Sequence, residues 1–415
     1  MTTSPLRLFE GIGIELEYMI VDAETLSVKP IADELLKQVG GGYELEVDLG
    51  PVAWSNELAL HVIEMKCNGP VPSLSGLAAL FQEHVGRMRA LLEPLSATLL
   101  STAMHPWMNP EHELRLWPHE NDVVYQTFDR IFDCRGHGWS NLQSMHINLP
   151  FSNEEEFGRL HAAIRVLLPL LPALAASSPL VEGKLTGLMD TRVDVYRTNA
   201  RRIPSVTGQV IPEGVFTPAD YQNKVLAPLY ADLAPLDPEG ILRHEWANAR
   251  GAIARFERNA IEIRLLDLQE CPQMDIAIAA TVVGALKQLV NENWSSQGAQ
   301  RALAAGELLP ILLGCIKDAD EAVVTDQRLL DVLGYPGRGP ARAGDIWRSI
   351  VERLQSAEPG IDEWRSELDV LLNGGCLARR ITRAVGQSPS RERLFSVYQD
   401  IASCLEHGTP FRAEA

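Results

Sequence analysis

GIGIELEYMIVD, residues 11 to 22, alternates with a period of two. In a strand, successive side chains point to opposite faces, so Ile14, Leu16, Tyr18 and Ile20 share one face and Glu15, Glu17, Met19 and Val21 the other. The glutamate face turns apolar halfway along, which a water-facing surface has no reason to do. Two carboxylates carried into an enclosed place repel each other, and one takes a proton unless an Arg, a Lys or a divalent metal offsets them. The plain alternative is the solvated edge of an amphipathic strand.

Other stretches repeat the construction. In Ile261-Glu262-Ile263-Arg264-Leu265 the aliphatic residues share one face, while Glu262 and Arg264 share the other with Leu266. With Arg255 and Arg258 nearby, this is the densest arginine cluster beside a strand. It suits a phosphorylated ligand, with guanidinium forks on phosphate oxygens and a glutamate on a metal. SMHINLPF, residues 144 to 151, places His146 and Asn148 on one face, where they could fix a metal or polar phosphate and carboxylate groups. NELALHVIEMKCNGP, residues 56 to 70, reads as a strand closed by Asn68-Gly69-Pro70. Strict alternation puts Glu57 and Glu64 on opposite faces of it, so one of them, Glu64, is assigned to the site. Carboxylates with one imidazole and no paired cysteines favour Mg²⁺ or Mn²⁺ over zinc. For each stretch the ordinary reading is a surface ion pair or a hydrogen-bonded core residue.

Composition narrows the partners. The chain has 415 residues, 46% of them hydrophobic, enough for one large core or two moderate ones. A net charge of −18 disfavours nucleic acid and anionic membrane, leaving small molecules or proteins. Six cysteines without a CxxC pair fit reduced thiols in a cytoplasmic protein. MTTSPLRLFEGIGIE has no apolar leader core, and IRVLLPLLPALAA, residues 164 to 176, is short and proline-broken, so it reads as a buried helix end.

The organisation follows from periodicity. A helix is expected near residues 31–39 and another over 73–95, then a strand in ATLLSTAMHP, and a helix opened by the capping pattern Ser152-Asn153-Glu154-Glu155. Residues 177–238 read as long loops with one or two short elements, of the kind that usually carry function. Residues 252–267 contain a strand, and Pro272 starts a long helix. Helices are then expected over 298–313, 318–333, 343–356, 361–385 and 390–406. The fold class is α+β, with a catalytic body over 1–294 and a helical region over 295–415 packed on it in the same domain.

Taken in order, GIELEYMIVD, NELALHVIEMKCNGP, SMHINLPF, ASSPLVEGKLTG and NAIEIRLLDLQ resemble the glutamate-cysteine ligase type 2 family of carboxylate-amine ligases, over about residues 9–290. The strand motifs are more distantly similar to glutamine synthetase. This resemblance implies an antiparallel sheet curved into a funnel, with ATP entering at one end and Mg²⁺ (or Mn²⁺) between its phosphates and the substrate carboxylate. It assigns Glu15, Glu17, Glu64, His146 and Glu262 to the metal or phosphate site, with Arg264 on the transferring phosphoryl group beside Glu262. Asn148, Arg255 and Arg258 join the nucleotide candidates. Arg192, Arg197 and the pair Arg201-Arg202 lie after the ASSP motif, where the family places substrate and phosphate contacts. Glutamate as the carboxylate donor and an amine such as cysteine are family expectations, and a homo-oligomer is possible.

The reaction implied is phosphorylation of a carboxylate by ATP followed by attack of an amine on the acyl phosphate. It needs no enzyme nucleophile, and the sequence holds neither a GxSxG elbow nor a GxxxxGK[ST] loop. Gly337-Arg338-Gly339-Pro340 reads as a turn. Two other readings remain open: a protein of this fold that binds nucleotide without turnover, and a phosphagen-type kinase that stops at phosphoryl transfer to a guanidine.

Overall fold

A computed structural model describes residues 5–413. Met1–Ser4, the start of the N-terminal stretch read above, lie outside them. The chain forms an α+β fold around one antiparallel sheet of eight strands: β1 (Gly13–Asp22), β2 (Glu46–Asp48), β3 (Val52–Asn56), β4 (Val62–Cys67), β5 (Ala97–Leu100), β6 (Ser144–Pro150), β7 (Ala252–Arg255) and β8 (Ala260–Asp267). Their spatial order is β2-β3-β4-β1-β6-β8-β7, and β5 also pairs with β1. β4 runs along one edge of β1, while β6 takes the first half of the other edge and β5 the second half.

Period-two patterning sorts the two faces of β1. Ile14, Leu16, Tyr18 and Ile20 are fully buried in the main core, together with Phe81, Val85 and Met88 of the helix Leu77–Leu92 and Ala277, Val282 and Leu286 of the helix Pro272–Val290. At about 1.5–3 kcal/mol per buried large aliphatic side chain, this face fixes the register. On the opposite face, Met19 and Val21 enter a separate core with Leu377 and Ile381 of the helix Leu377–Val385 and Val397, Tyr398 and Ile401 of the helix Arg391–His407. The glutamate face turns apolar because C-terminal helices cover its second half.

Helices Ala32–Gly40, Glu154–Leu167, Ala343–Ala357 and Arg391–His407 lie where periodicity predicts them. Asn153 caps the second, accepting from Glu156 N, while the Glu156 carboxylate reaches back to Ser152 N. The stretch from Glu154 to Ala175 and the helix Pro272–Val290 are both long and apolar enough to cross a membrane, but 94% and 83% of their apolar windows are covered within the fold.

Elsewhere the structure departs from the sequence reading. Residues 56–70 are not one strand. β3 ends at Asn56, a turn follows, and β4 begins at Val62, because Leu60 N bonds to Arg115 O and Leu58 O receives Trp117 N. Residues 252–267 form the β7–β8 hairpin, turning through Asn259 at φ +50°. The loop-like region holds helices at Thr191–Asn199, Pro218–Tyr221 and Ala227–Leu233. The helix expected over 361–385 breaks at Gly375 (φ +82°) into Arg365–Gly374 and Leu377–Val385. Those expected over 298–313 and 318–333 are displaced to Gln297–Arg301, Ala305–Asp318 and Gln327–Val332.

Candidate active site

Cross-strand register builds the site. Glu15 faces Lys66 on β4 and His146 on β6, Glu17 faces Glu64, and Asn148 lies between Gly13 and Glu262. Directly opposed residues share a face, so Glu15, Glu17, Glu64, Lys66, His146, Asn148 and Glu262 all stand on the same side of the sheet. Opposed like charges such as Glu17 and Glu64 destabilise a sheet, so this arrangement is not one that stability alone would select.

His146 is the hub. Its Nδ1 lies 2.9 Å from Glu15 Oε2 and its Nε2 2.9 Å from Ser144 Oγ, with Glu17 Oε1 at 3.7 Å and Glu262 Oε1 at 4.0 Å. Asn148 Nδ2 donates to the other Glu15 oxygen at 3.0 Å. Glu17 Oε2 accepts from Ser144 N (2.6 Å) and Ser144 Oγ (3.0 Å). Glu64 Oε1 accepts from Ser55 Oγ at 2.6 Å and from Lys66 Nζ at 2.8 Å. Glu262, 2% exposed, is held by Arg264 Nε at 2.5 Å and Arg255 Nη1 at 2.9 Å.

The protonation states follow from this packing. Burial opposes charge on His146, but its hydrogen bond to Glu15 and the charges of Glu17, Glu15 and Glu262 outweigh it and lift the imidazole to about 9. Burial would also raise Glu262, yet Arg264, His146 and Arg255 hold it down at about 2. Glu17 is raised, by burial first and by Glu64 among its neighbours. Glu57 is pushed well above the carboxylate range by burial and by the charges of Glu17 and Glu64.

Glu57 was left out by the alternation argument. The turn after Asn56 frees it from strand geometry, and it lines a cavity of about 290 Å³ with Glu17, His146, Arg192 and Arg264. A second cavity, of about 540 Å³, opens along Glu15, Lys66, Asn148 and Arg258. The cluster around His146 thus borders both.

A bulge in β8 places Arg264. The β6–β8 register shifts between Ile263 and Leu266, so Leu266 faces Met145 on the core side rather than sharing the face of Glu262. Arg192 supports the bulge. Both of its terminal nitrogens reach the Arg264 carbonyl at 3.3 Å, while its Nε pairs with Asp267 at 2.5 Å. Arg192 is 2% exposed, Asp267 is fully buried, and the Asp267 carboxylate also accepts from Ser177 N and Ser178 Oγ.

The other arginines separate. Arg258 is exposed and borders the larger cavity, with no carboxylate partner among the described residues. Arg197 does not reach the cluster: it is exposed and pairs with Asp194 at 2.7 Å on the outer side of its helix. Arg201 and Arg202 are also exposed, and Arg202 donates to Ile131 O at 2.6 Å. Helical periodicity would have made the distinction, since Arg192, Tyr196 and Asn199 are spaced by four and three and all line the smaller cavity.

Ligand atoms from Glu15, His146 and Glu262 lie within 4.8 Å of one another, as do those from Glu17, Glu64 and His146. Carboxylate oxygens with one imidazole are the donors hard divalent cations take. The residues fit such an ion, since the negative charge that holds a proton on His146 would equally hold a cation.

The Glutamate-cysteine ligase family 2 (GCS2) description matches residues 11–310. The chain belongs to this family. An uncharacterized protein of Archaeoglobus fulgidus is 39% identical to this family member over 401 residues, covering 95% of this chain and 98% of the relative. A putative glutamate--cysteine ligase 2-1 of Corynebacterium efficiens is 24% identical, covering 82% and 87%. Among solved structures, the glutamate--cysteine ligase of Francisella tularensis in complex with AMP superposes with a TM-score of 0.59 at 12% identity, covering 95% of this GCS2 chain and 88% of that one. A bifunctional glutathione synthetase from Pasteurella multocida gives 0.63 at 13% identity, covering 96% and 53%. The family and the fold support an enzyme of the carboxylate-amine ligase kind acting on small molecules.

Proposed function

We propose that the protein is an ATP-dependent ligase that joins glutamate, through its γ-carboxylate, to an amine by way of an acyl phosphate. One observation carries this reading: four carboxylates and His146 converge where two cavities meet, with Arg264 held beside them by Glu262. A ligase of this kind must bring nucleotide and amino acid together from separate sides at one reacting centre.

The larger cavity, with Asn148, Lys66 and Arg258 on its walls, suits the nucleotide. The smaller one, with Arg192, Arg264 and Glu57, suits the two amino-acid substrates. Glu15, Glu17, Glu64, His146 and Glu262 would hold Mg²⁺ or Mn²⁺, which when bound supplies charge neutralisation at the phosphate oxygens. Arg264 stabilises charge on the phosphoryl group in flight, and Glu262 fixes its guanidinium through Nε. Arg192 acts at one remove, by holding the Arg264 carbonyl. Glu57, raised above the ordinary carboxylate range by burial and by the charges of Glu17 and Glu64, lines the same cavity and takes the proton from the incoming ammonium. The amine nitrogen then attacks the acyl carbon, and phosphate leaves. The free thiols of all six cysteines fit a reducing compartment, so the proposed location is the cytoplasm.

ADP release measured with ATP, Mg²⁺, glutamate and a panel of amines tests the reading. The expected result is release that requires both the carboxylate and the amine. Tight ATP binding with no ADP from any pair, or a phosphorylated guanidine as product, would replace it with one of the two other readings.

A further inference from the structure

The smaller cavity is more aromatic than a small thiol amine requires. Phe128, Trp139 and Trp246 line it, all partly uncovered, with the Phe128 centroid 5.1 Å from that of Trp139 and 5.9 Å from that of Trp246. Glu57 and Arg264 lie among the residues of the same cavity, so it offers a charged region for a reacting centre and an apolar wall. Three large rings left partly uncovered along the cavity forgo part of the burial that makes aromatic residues stabilising, and a ligand with matching apolar surface recovers it.

Asn199 holds one of these rings in place. Its Nδ2 donates to Gly138 O at 2.8 Å, and its backbone carbonyl accepts from Trp139 Nε1 at 3.2 Å.

We infer that the amine substrate carries an aromatic or similarly large apolar side chain, seated against Phe128, Trp139 and Trp246. The inference rests on the ligase reading proposed above, and it makes these three rings the specificity-determining residues. A side chain the size of cysteine's would leave the rings uncovered. Covering the rings with a ring-sized group should give a preference of roughly 10- to 100-fold, equivalent to about 1.4–2.7 kcal/mol.

The test is kcat/KM for ADP release at fixed glutamate with phenylalanine, histidine and phenethylamine against cysteine and 2-aminobutyrate. The expected result is at least a 10-fold preference for the ring-bearing amines, narrowed by Trp246→Leu chiefly through KM. Cysteine or 2-aminobutyrate performing as well as the aromatic amines overturns the inference and leaves the ligase reading standing. If no amine supports ADP release, the ligase reading falls, and calorimetric titration with phenethylamine decides the cavity's chemistry. Saturable binding weakened by Trp246→Leu sustains the aromatic site, and absence of binding to the folded wild-type protein overturns it.

Discussion

His146 Nδ1 lies 2.9 Å from Glu15 Oε2, across the β1–β6 pairing in which the two residues stand directly opposite each other. Sheet register alone puts this imidazole among Glu15, Glu17 and Glu262, and their combined charge sets its protonation.

A divalent cation should stabilise the protein. Glu17 and Glu64 oppose each other, and a cation between them would relieve the repulsion of the two carboxylates. A ligand at about a hundred times its Kd adds about 2.7 kcal/mol. Thermal unfolding with increasing Mg²⁺ or Mn²⁺ should show a rising Tm, with the rise reduced in Glu17→Gln. A Tm indifferent to either ion would contradict the metal assignment.

Glu262→Ala should cost about 3–5 kcal/mol, since it strands Arg264 beside a buried position and leaves Arg255 only its pairing with Glu257. The pH dependence has a definite sign. Because the folded carboxyl is depressed to about 2, its contribution is fully present above 4.5 and is lost as pH falls through about 2. Denaturant melts of wild type and variant should therefore converge toward acid pH.

Asp190 and Asp267 should respond oppositely to amidation. Asp190 is fully buried, its Oδ1 accepts from Val193 N at 2.8 Å, its Oδ2 has no partner among the described residues, and burial with the nearby Asp267 charge raises it well above 3.8. Its raised pKa means that its contribution is present below 3.8 and lost as pH rises through the folded value. Asp190→Asn keeps the helix cap and removes that loss, so stability at neutral pH should hold or rise. Asp267→Asn leaves Arg192 without its counterion and should cost about 3–5 kcal/mol. Urea unfolding of both variants checks the contrast.

Glu57→Gln should lower kcat by about 10²–10⁴-fold if Glu57 accepts the ammonium proton. The size of the loss should fall as the assay pH rises, because more amine arrives already deprotonated. A loss that does not vary with pH would assign Glu57 to binding instead.

Much of the site was legible because strands report faces directly. Glu15, Glu17, His146, Asn148 and Glu262 were placed on one surface by counting in twos, and the structure puts them there. The same counting separated Glu57 from Glu64 and put Leu266 beside Arg264. It failed at a turn fixed by backbone bonds to residues 114–117 and at a bulge braced by Arg192, both set by distant chain that alternation cannot see. The apolar second half of the glutamate face was visible as an anomaly. Its cover, helices more than 350 residues away in sequence, was not. The loop arginines could not be sorted until residues 191–199 were known to be helical.

The central claim is that a carboxylate is activated by phosphorylation before the amine attacks. It is tested most directly with glutamate labelled with ¹⁸O in its γ-carboxylate, turned over with ATP, Mg²⁺ and the preferred amine, followed by isotopic analysis of the phosphate released. One labelled oxygen is expected in inorganic phosphate for each amide formed. Amide formed with unlabelled phosphate would contradict it.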